Sequence, residues 1–262
     1  GKDGVPRALY AKYLKAWQPR IGFAWMPASL GKKTVFRGAY TISSYLEGMG
    51  VGERLTLNPP YATEYAAIYD GFPNIVSTTS QGFTVLQATE MFKGASIKMW
   101  DPQFRPSDVQ QWSFIIERQL PLDALMSVGY VGQHGTHLCG RPYYGQKRLL
   151  PDGRIGPSDF IVGNPDLALA ANGRGTAADY NQRYDSLQTT LRKRLSHGLE
   201  YQASYTWSKG MSDSIGFYGE AGQAAAQNAH PQNVYDRQAE WGPTYFDATH
   251  MFTTHGAYDL PL

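Results

Sequence analysis

Leu199-Glu200-Tyr201-Gln202-Ala203-Ser204-Tyr205-Thr206-Trp207-Ser208 alternates without a break. Successive side chains of a β-strand point to opposite faces. Leu199, Tyr201, Ala203, Tyr205 and Trp207 therefore share one apolar face, and Glu200, Gln202, Ser204, Thr206 and Ser208 share a polar one. A strand of a soluble sandwich has the same pattern, so what flanks it decides. The pattern recurs in strands of about ten residues, joined alternately by very short and very long connections. That is the layout of a transmembrane β-barrel wall.

Immediately upstream, Tyr184 to Leu195 carries Leu187, Leu191 and Leu195 in phase and turns at Ser196-His197-Gly198. A second hairpin runs from Val109 to Leu120, turns at Pro121-Leu122-Asp123, and returns from Ala124 to Gly132 with Met126, Val128 and Tyr130 in phase. A third places Ile21, Phe23 and Trp25 opposite Arg20, Gly22 and Ala24 within Arg20 to Met26. It turns through Pro27 to Lys33 and returns from Thr34 to Ser43 with Phe36, Tyr40 and Ile42 on one side. A seventh strand is expected from Phe246 to Asp259, with His250 and His255 on opposite faces. Pro261 ends it, because proline cannot donate to a ladder.

The connections Tyr45 to Ser107, Gln133 to Arg183 and Lys209 to Glu240 exceed the roughly 15 residues beyond which structureless loops are uncommon in compact domains. Outer-membrane barrels have short periplasmic turns and long outer loops. The fold expected is all-β: an antiparallel up-and-down transmembrane β-barrel segment, an incomplete barrel, with its three turns at the periplasmic end and its three long loops together outside.

Composition agrees with that reading. The mean hydropathy is −0.42, and no stretch approaches the 18 apolar residues of a membrane-spanning helix. A barrel escapes that test because its inward face is polar. Aromatic residues make up 13% of the chain, with 18 Tyr and 6 Trp, which suits the interfacial girdles of a barrel. A net charge of +2 gives no case for nucleic-acid binding. The single Cys139 reads as a small loop residue. Gly1-Lys2-Asp3-Gly4-Val5 has no initiator Met and no apolar leader run, and Asp259 to Leu262 reads as a turn into another hairpin. The expectation is an internal piece of a longer barrel.

Few residues suggest chemistry. His134-Gly135-Thr136-His137 with Cys139 contains good zinc ligands but lacks a clear fourth, and reads as a turn leaving the membrane interface. Arg192 and Arg194 fall on the polar face and are expected to point into the lumen near the periplasmic end. Lys193 shares the lipid side, where its stem can snorkel to the headgroups. Asp213, Asp236, Glu240 and Asp247 show no spacing that singles out a glycosidase pair. Asp152-Gly153 and Asn172-Gly173 are turn dipeptides expected to form small local hairpins. Tyr61, Tyr65 and Tyr69 recur every four residues and suggest a short helix, with an aromatic face for packing or ligand contact. Ala221 to Ala226 is a small-residue stretch. No catalytic group, metal site or cofactor is expected, and the chain reads as a non-enzyme.

Five blocks carry a resemblance. They are Pro19-Arg20-Ile21-Gly22-Phe23-Ala24-Trp25; Thr34-Val35-Phe36-Arg37-Gly38-Ala39-Tyr40; and Gln111-Trp112 through Glu117-Arg118-Gln119-Leu120 to Gly129-Tyr130-Val131-Gly132. The fourth runs from Tyr184-Asp185-Ser186-Leu187-Gln188 through Lys193-Arg194 to Ser204-Tyr205-Thr206-Trp207-Ser208-Lys209. The fifth joins Trp241-Gly242, Phe246-Asp247 and His250 to Tyr258-Asp259-Leu260-Pro261. In order and spacing they resemble the β-barrel of TonB-dependent outer-membrane transporters. They are most similar to the Oar-like receptors, which carry a carboxypeptidase-regulatory-like domain ahead of the plug. The resemblance implies that residues 1–262 are part of such a barrel domain in the bacterial outer membrane. It implies outer-membrane lipid as a partner, and the TonB complex as a partner of the full-length protein only. No plug, TonB box or terminal aromatic strand is recognisable in the sequence. The function implied is a wall segment of a transporter for a large or scarce substrate (a glycan, peptide or metal chelate). The alternatives are a surface adhesion or recognition module without transport, and a soluble carbohydrate-binding β-sandwich.

Overall fold

The computed structural model describes residues 11–46, 53–61, 92, 95–165, 172–213 and 230–260. Eleven strands follow in chain order: β1 (Arg20–Trp25), β2 (Thr34–Tyr45), β3 (Ser96–Trp100), β4 (Ser107–Leu120), β5 (Ala124–Gly140), β6 (Arg148–Leu149), β7 (Ile155–Gly156), β8 (Asn172–Ser196), β9 (Leu199–Ser212), β10 (Gly242–Pro243) and β11 (His250–Tyr258). The one α-helix among the described residues, α1 (Asp159–Gly163), is capped by the Ser158 hydroxyl, which accepts from the Ile161 amide at 3.2 Å. Antiparallel pairing runs β1-β2-β4-β5-β8-β9, with β11 and β10 both on the far side of β9. All seven expected wall strands are present, in the expected order.

Register fixes which side chains share a face. Phe23, Gly38, Phe114, Tyr130, Leu187, Trp207 and His250 form one row across seven strands. The next row is Trp25, Phe36, Ile116, Val128, Thr189, Tyr205 and Phe252. These rows form an apolar band that no second sheet covers: Trp207 is 54% exposed and Phe252 64%. Among the described residues the only other sheet is the β6-β7 hairpin, so the sandwich alternative is overturned. The row Thr34–Arg118–Met126–Leu191–Ala203 is polar at its first two positions and apolar at its last three. The band therefore crosses the strands obliquely, as the tilted strands of a barrel wall require.

The opposite face carries Arg37, Gln111, Gln133, Ser186, Gln188, Gln202 and Ser204 on the same ladders. Arg37 pairs with Glu117 at 2.9 Å, Gln111 donates to Gln133 at 2.8 Å, and the hydroxyls of Thr190 and Ser204 lie 3.2 Å apart. Where the band meets the loop end, tyrosines turn their hydroxyls outward to polar partners. Tyr40 donates to Gln110 at 2.9 Å, Tyr130 donates to Asp185, and Tyr205 reaches His250 Nδ1 at 2.8 Å. An amphipathic ring at a membrane interface adopts that posture.

The three turns lie at one end, as expected. His197 and Gly198 have φ of 52° and 74° between the paired Ser196 and Leu199, the two left-handed residues of a type I′ hairpin. Between β4 and β5 the loop has three residues, Pro121 to Asp123, and turns with Leu122 and Asp123 left-handed at φ of 61° and 57°.

Several expectations need correction. The wall strands continue past their expected ends at the loop side: β5 runs to Gly140, and β8 begins at Asn172. His134 to His137 is therefore strand rather than an exit turn, interrupted by an irregularity between Gly135 and Leu138 where His137 has φ 56°. Cys139 is a buried strand residue, not a loop residue. Asn172-Gly173 begins β8 and pairs in parallel with β3, so it makes no hairpin and the sheet is not wholly antiparallel. Asp152-Gly153, by contrast, does turn the β6-β7 hairpin. The last strand starts at His250, because Thr244 to Asp247 is a turn closed by the Asp247 amide on the Thr244 carbonyl at 2.9 Å.

Candidate ligand site at the loop end

The buried apolar residues Ile97, Phe104, Cys139, Ala177, Ala178 and Tyr180 all come from β3, the β3-β4 connection and the outer extensions of β5 and β8. Phe104, Cys139 and Ala178 form one cluster, with Trp100 packed on it 4.5 Å from the Phe104 ring. The Asn58 carboxamide latches residues 53–61 to β3, with hydrogen bonds of 2.7 Å to both the amide and the carbonyl of Lys98.

Tyr180 is the pivot. It lies two residues from Gln182, which pairs with Ser212, and so points to the polar face of the sheet. Its ring is 2% exposed, and a Cβ on Gly140 would come within 2.0 Å of it. Glycine is required there because the strand passes directly beneath the ring. On the other side the Arg237 guanidinium stacks 3.7 Å from the ring centre. That guanidinium also pairs with Asp179 at 3.0 Å and Asp213 at 3.6 Å. Burial works against its charge, but Tyr180, Asp179 and Asp213 outweigh the penalty and hold its pKa above the ordinary value. Asp213 in turn accepts from the Asn181 amide at 2.6 Å. One cation thus ties the incoming chain at 237 to the ends of β8 and β9.

A second staple is Gln146. Its side chain donates to the Gln232 carbonyl and accepts from the Val234 amide, each at 2.8 Å, while its own carbonyl accepts from the Tyr235 hydroxyl at 2.8 Å. His230 reaches the Arg141 carbonyl at 2.8 Å. Tyr144 packs where a Cβ on Gly175 would stand, and burial pushes its phenol up to about 12.

Between these staples lies a cleft of about 310 Å³, bordered by Tyr45, Tyr180, Gln182, Asp213, Thr244 and Tyr245 among others. Its volume is at the low end of small-molecule sites, which span about 300–1,000 Å³. Tyr245 and Phe246 stand edge to face at its rim, 5.0 Å apart and 55% and 65% exposed.

A model of the outer membrane beta barrel domain family matches residues 1–262. The chain belongs to that family. Its compartment is the bacterial outer membrane. No curated protein matches the sequence.

Of the described residues singled out from this outer-membrane barrel sequence, Cys139, Asp213 and Glu240 border the cleft and the others do not. Tyr61 is 88% exposed in a turn, while Tyr65, Tyr69 and Ala221 to Ala226 lie outside the described residues. Arg192 pairs with Leu125 and Gln202 on the polar face at the turn end. Arg194 falls in a bulge between Lys193 and Ser196 that interrupts the alternation. Lys193 does not snorkel: it is 7% exposed, and its ammonium donates to the Ser196 carbonyl and hydroxyl at 2.9 Å and the Leu199 carbonyl at 3.1 Å. Asp213, Asp236, Glu240 and Asp247 each accept from a backbone amide. No cluster of three His, Cys, Asp or Glu able to hold a metal occurs among the described residues. Tyr180 and Thr244 at the cleft, and Arg237 on the Tyr180 ring, gave no signal in the sequence, because the outer end of β8 and the chain before β11 bring them together from positions far apart.

Proposed function

We propose that the chain is a wall segment of a TonB-dependent transporter of the Oar-like kind, in which substrate enters from the loop end. The observation that carries this reading is the continuity of the polar face. It runs from Arg37, Glu117 and Arg192 near the turns, past Gln111, Gln133, Gln188 and Ser204, to Gln182 and Ser212 at the cleft. A wetted face of this kind suits the lumen of a transporter, where each polar group finds water or a passing solute. The five sequence blocks add their resemblance to that family. The reading gives the chain no catalytic step. Its partners are outer-membrane lipid along the apolar band and, for the full-length protein, the TonB complex.

The test is the conductance of the full-length protein in a planar bilayer. A transporter of this kind is plugged, so it should be silent at rest and open reversibly in urea at concentrations that unfold a plug before the barrel. A steady open pore without urea, or silence at every urea concentration that leaves the barrel folded, would contradict the proposal.

A further inference from the structure

The two ends of the sheet treat their cations differently. Toward the loops, Arg105, Arg148, Arg154, Arg183 and Arg237 each hold an aspartate partner. At the turn end, Lys32, Lys33, Arg118, Arg192 and Arg194 are all exposed, and none forms an ion pair among the described residues. Asp123 is the only carboxylate within the three turns, and Glu117 is taken by Arg37. Lys193 does not add to the group, because its ammonium is already held by turn carbonyls. Like charges gathered without partners repel one another, and an anion lying among them relieves that repulsion.

The position of two of these cations narrows the anion. Arg118 pairs with Thr34 on the face of the apolar band, one step beyond the pair Phe36 and Ile116. Its guanidinium donates to the Thr34 hydroxyl at 3.4 Å, which leaves most of its five donors for another acceptor. Lys32 stands two residues before Thr34, left-handed at φ 55° in the first turn. Exposed leucines flank the cations: Leu30 in the first turn, and Leu122, 73% exposed, in the second. Apolar groups followed at once by cations match a lipid, whose chains lie along the band and whose charged headgroup comes next. An acidic protein would satisfy the charges and leave Leu30 and Leu122 in water.

We propose that the turn end, at Lys32 and Arg118, binds the phosphodiester headgroup of an anionic phospholipid such as phosphatidylglycerol. Arg192 takes no part, since it lies on the polar face between Leu125 and Gln202. The site rests on the lipid contact of the apolar band and names the headgroup met there. It needs neither a plug nor TonB: failure of the conductance test leaves it standing, and its own failure leaves transport standing.

The experiment places a fluorophore beside the site in the full-length protein, reconstituted in phosphatidylcholine vesicles. The label goes on Ala28→Cys, an exposed position of the first turn, with Cys139→Ala. Phosphatidylglycerol or phosphatidylcholine, each carrying a nitroxide on the chain next to the headgroup, is then added as quencher. Phosphatidylglycerol should quench at a mole fraction at least fivefold lower than phosphatidylcholine. Lys32→Gln and Arg118→Gln should each weaken that preference about fivefold, the equivalent of ~1 kcal/mol per cation near an anionic surface. The double variant should abolish it, and Arg192→Gln should leave it unchanged. Should a variant fail to fold, wild type in about 1 M salt, where screening acts within roughly 3 Å, should lose the preference instead. Equal quenching by the two lipids in wild type, which would leave the cations to an acidic protein, would overturn the assignment. So would a preference that survives the double variant or high salt, or one that falls as far in Arg192→Gln.

Discussion

The wall and the loop end of this molecule bury their apolar residues against different solvents. Along the wall, Phe23, Phe114, Leu187, Trp207 and Phe252 are all exposed among the described residues. At the loop end, Phe104, Cys139 and Ala178 are packed against protein in the manner of a soluble core. A large apolar side chain removed from water is worth roughly 1.5–3 kcal/mol; neighbouring strands supply that gain to the loop end, and on the proposed reading lipid supplies it to the wall. The contrast teaches that the wall is specified by a two-residue period, and the loop end by particular contacts such as Arg237 on Tyr180.

The largest effect that sharpens this contrast comes from charge. Ala203 sits on the apolar face between Leu191 and Thr254, whereas Ser204 faces the opposite side beside Thr190. Ala203→Arg should cost about 2–4 kcal/mol near the bilayer midplane, and Ser204→Arg far less. Folding of the full-length protein into lipid vesicles measures both; equal tolerance at the two positions would break the comparison.

A subtler effect separates two glycines with nearly the same crowding. A Cβ on Gly38 would lie 2.3 Å from the Phe23 ring, and one on Gly140 would lie 2.0 Å from the Tyr180 ring. Phe23 is on the open band and can swing into lipid, while Tyr180 is clamped by Arg237. Gly140→Ala should therefore destabilise the loop end by about 1–3 kcal/mol, the usual cost of overpacking. Gly38→Ala should cost a small fraction of that. Proteolysis of the loops against urea, compared with barrel unfolding on gels, distinguishes them.

How much of this was legible in the sequence follows the same division. All seven wall strands, the three turns and the two faces could be read from residues such as Leu199 to Ser208, because alternation is a local signal. Even His250 and His255 fall on opposite faces as expected, opposite Trp207 and Gln202. What could not be read lies where alternation stops: the outer ends of β5 and β8, the parallel β3, and the cleft. Gly140 shows no reason in sequence to be glycine, since the ring that demands it comes from Tyr180, 40 positions on. Lys193 was misplaced for a related reason: the bulge at Ser196 brought turn carbonyls within reach of its ammonium.

A third effect shows only at high pH. Burial holds the Tyr144 phenol up at about 12, against about 10 for a free tyrosine. Above pH 10 the unfolded loop end releases that proton and the folded one keeps it. Stability is therefore fully present below pH 10 and falls as pH rises through 12. Absorbance titration at about 295 nm of wild type against Tyr144→Phe should show the missing phenol ionising near 12; ionisation near 10 would place Tyr144 in water.

Lipid contact along Leu199 to Ser208 is the central claim, and spin-label accessibility measures it residue by residue. Each position from 199 to 208 is replaced in turn by a labelled cysteine in the full-length protein in vesicles, with Cys139 first changed to Ala. Collisions with oxygen should peak at positions 199, 201, 203, 205 and 207, and collisions with a water-soluble nickel chelate at the positions between. Alternation with the opposite phase, or none, would contradict the account.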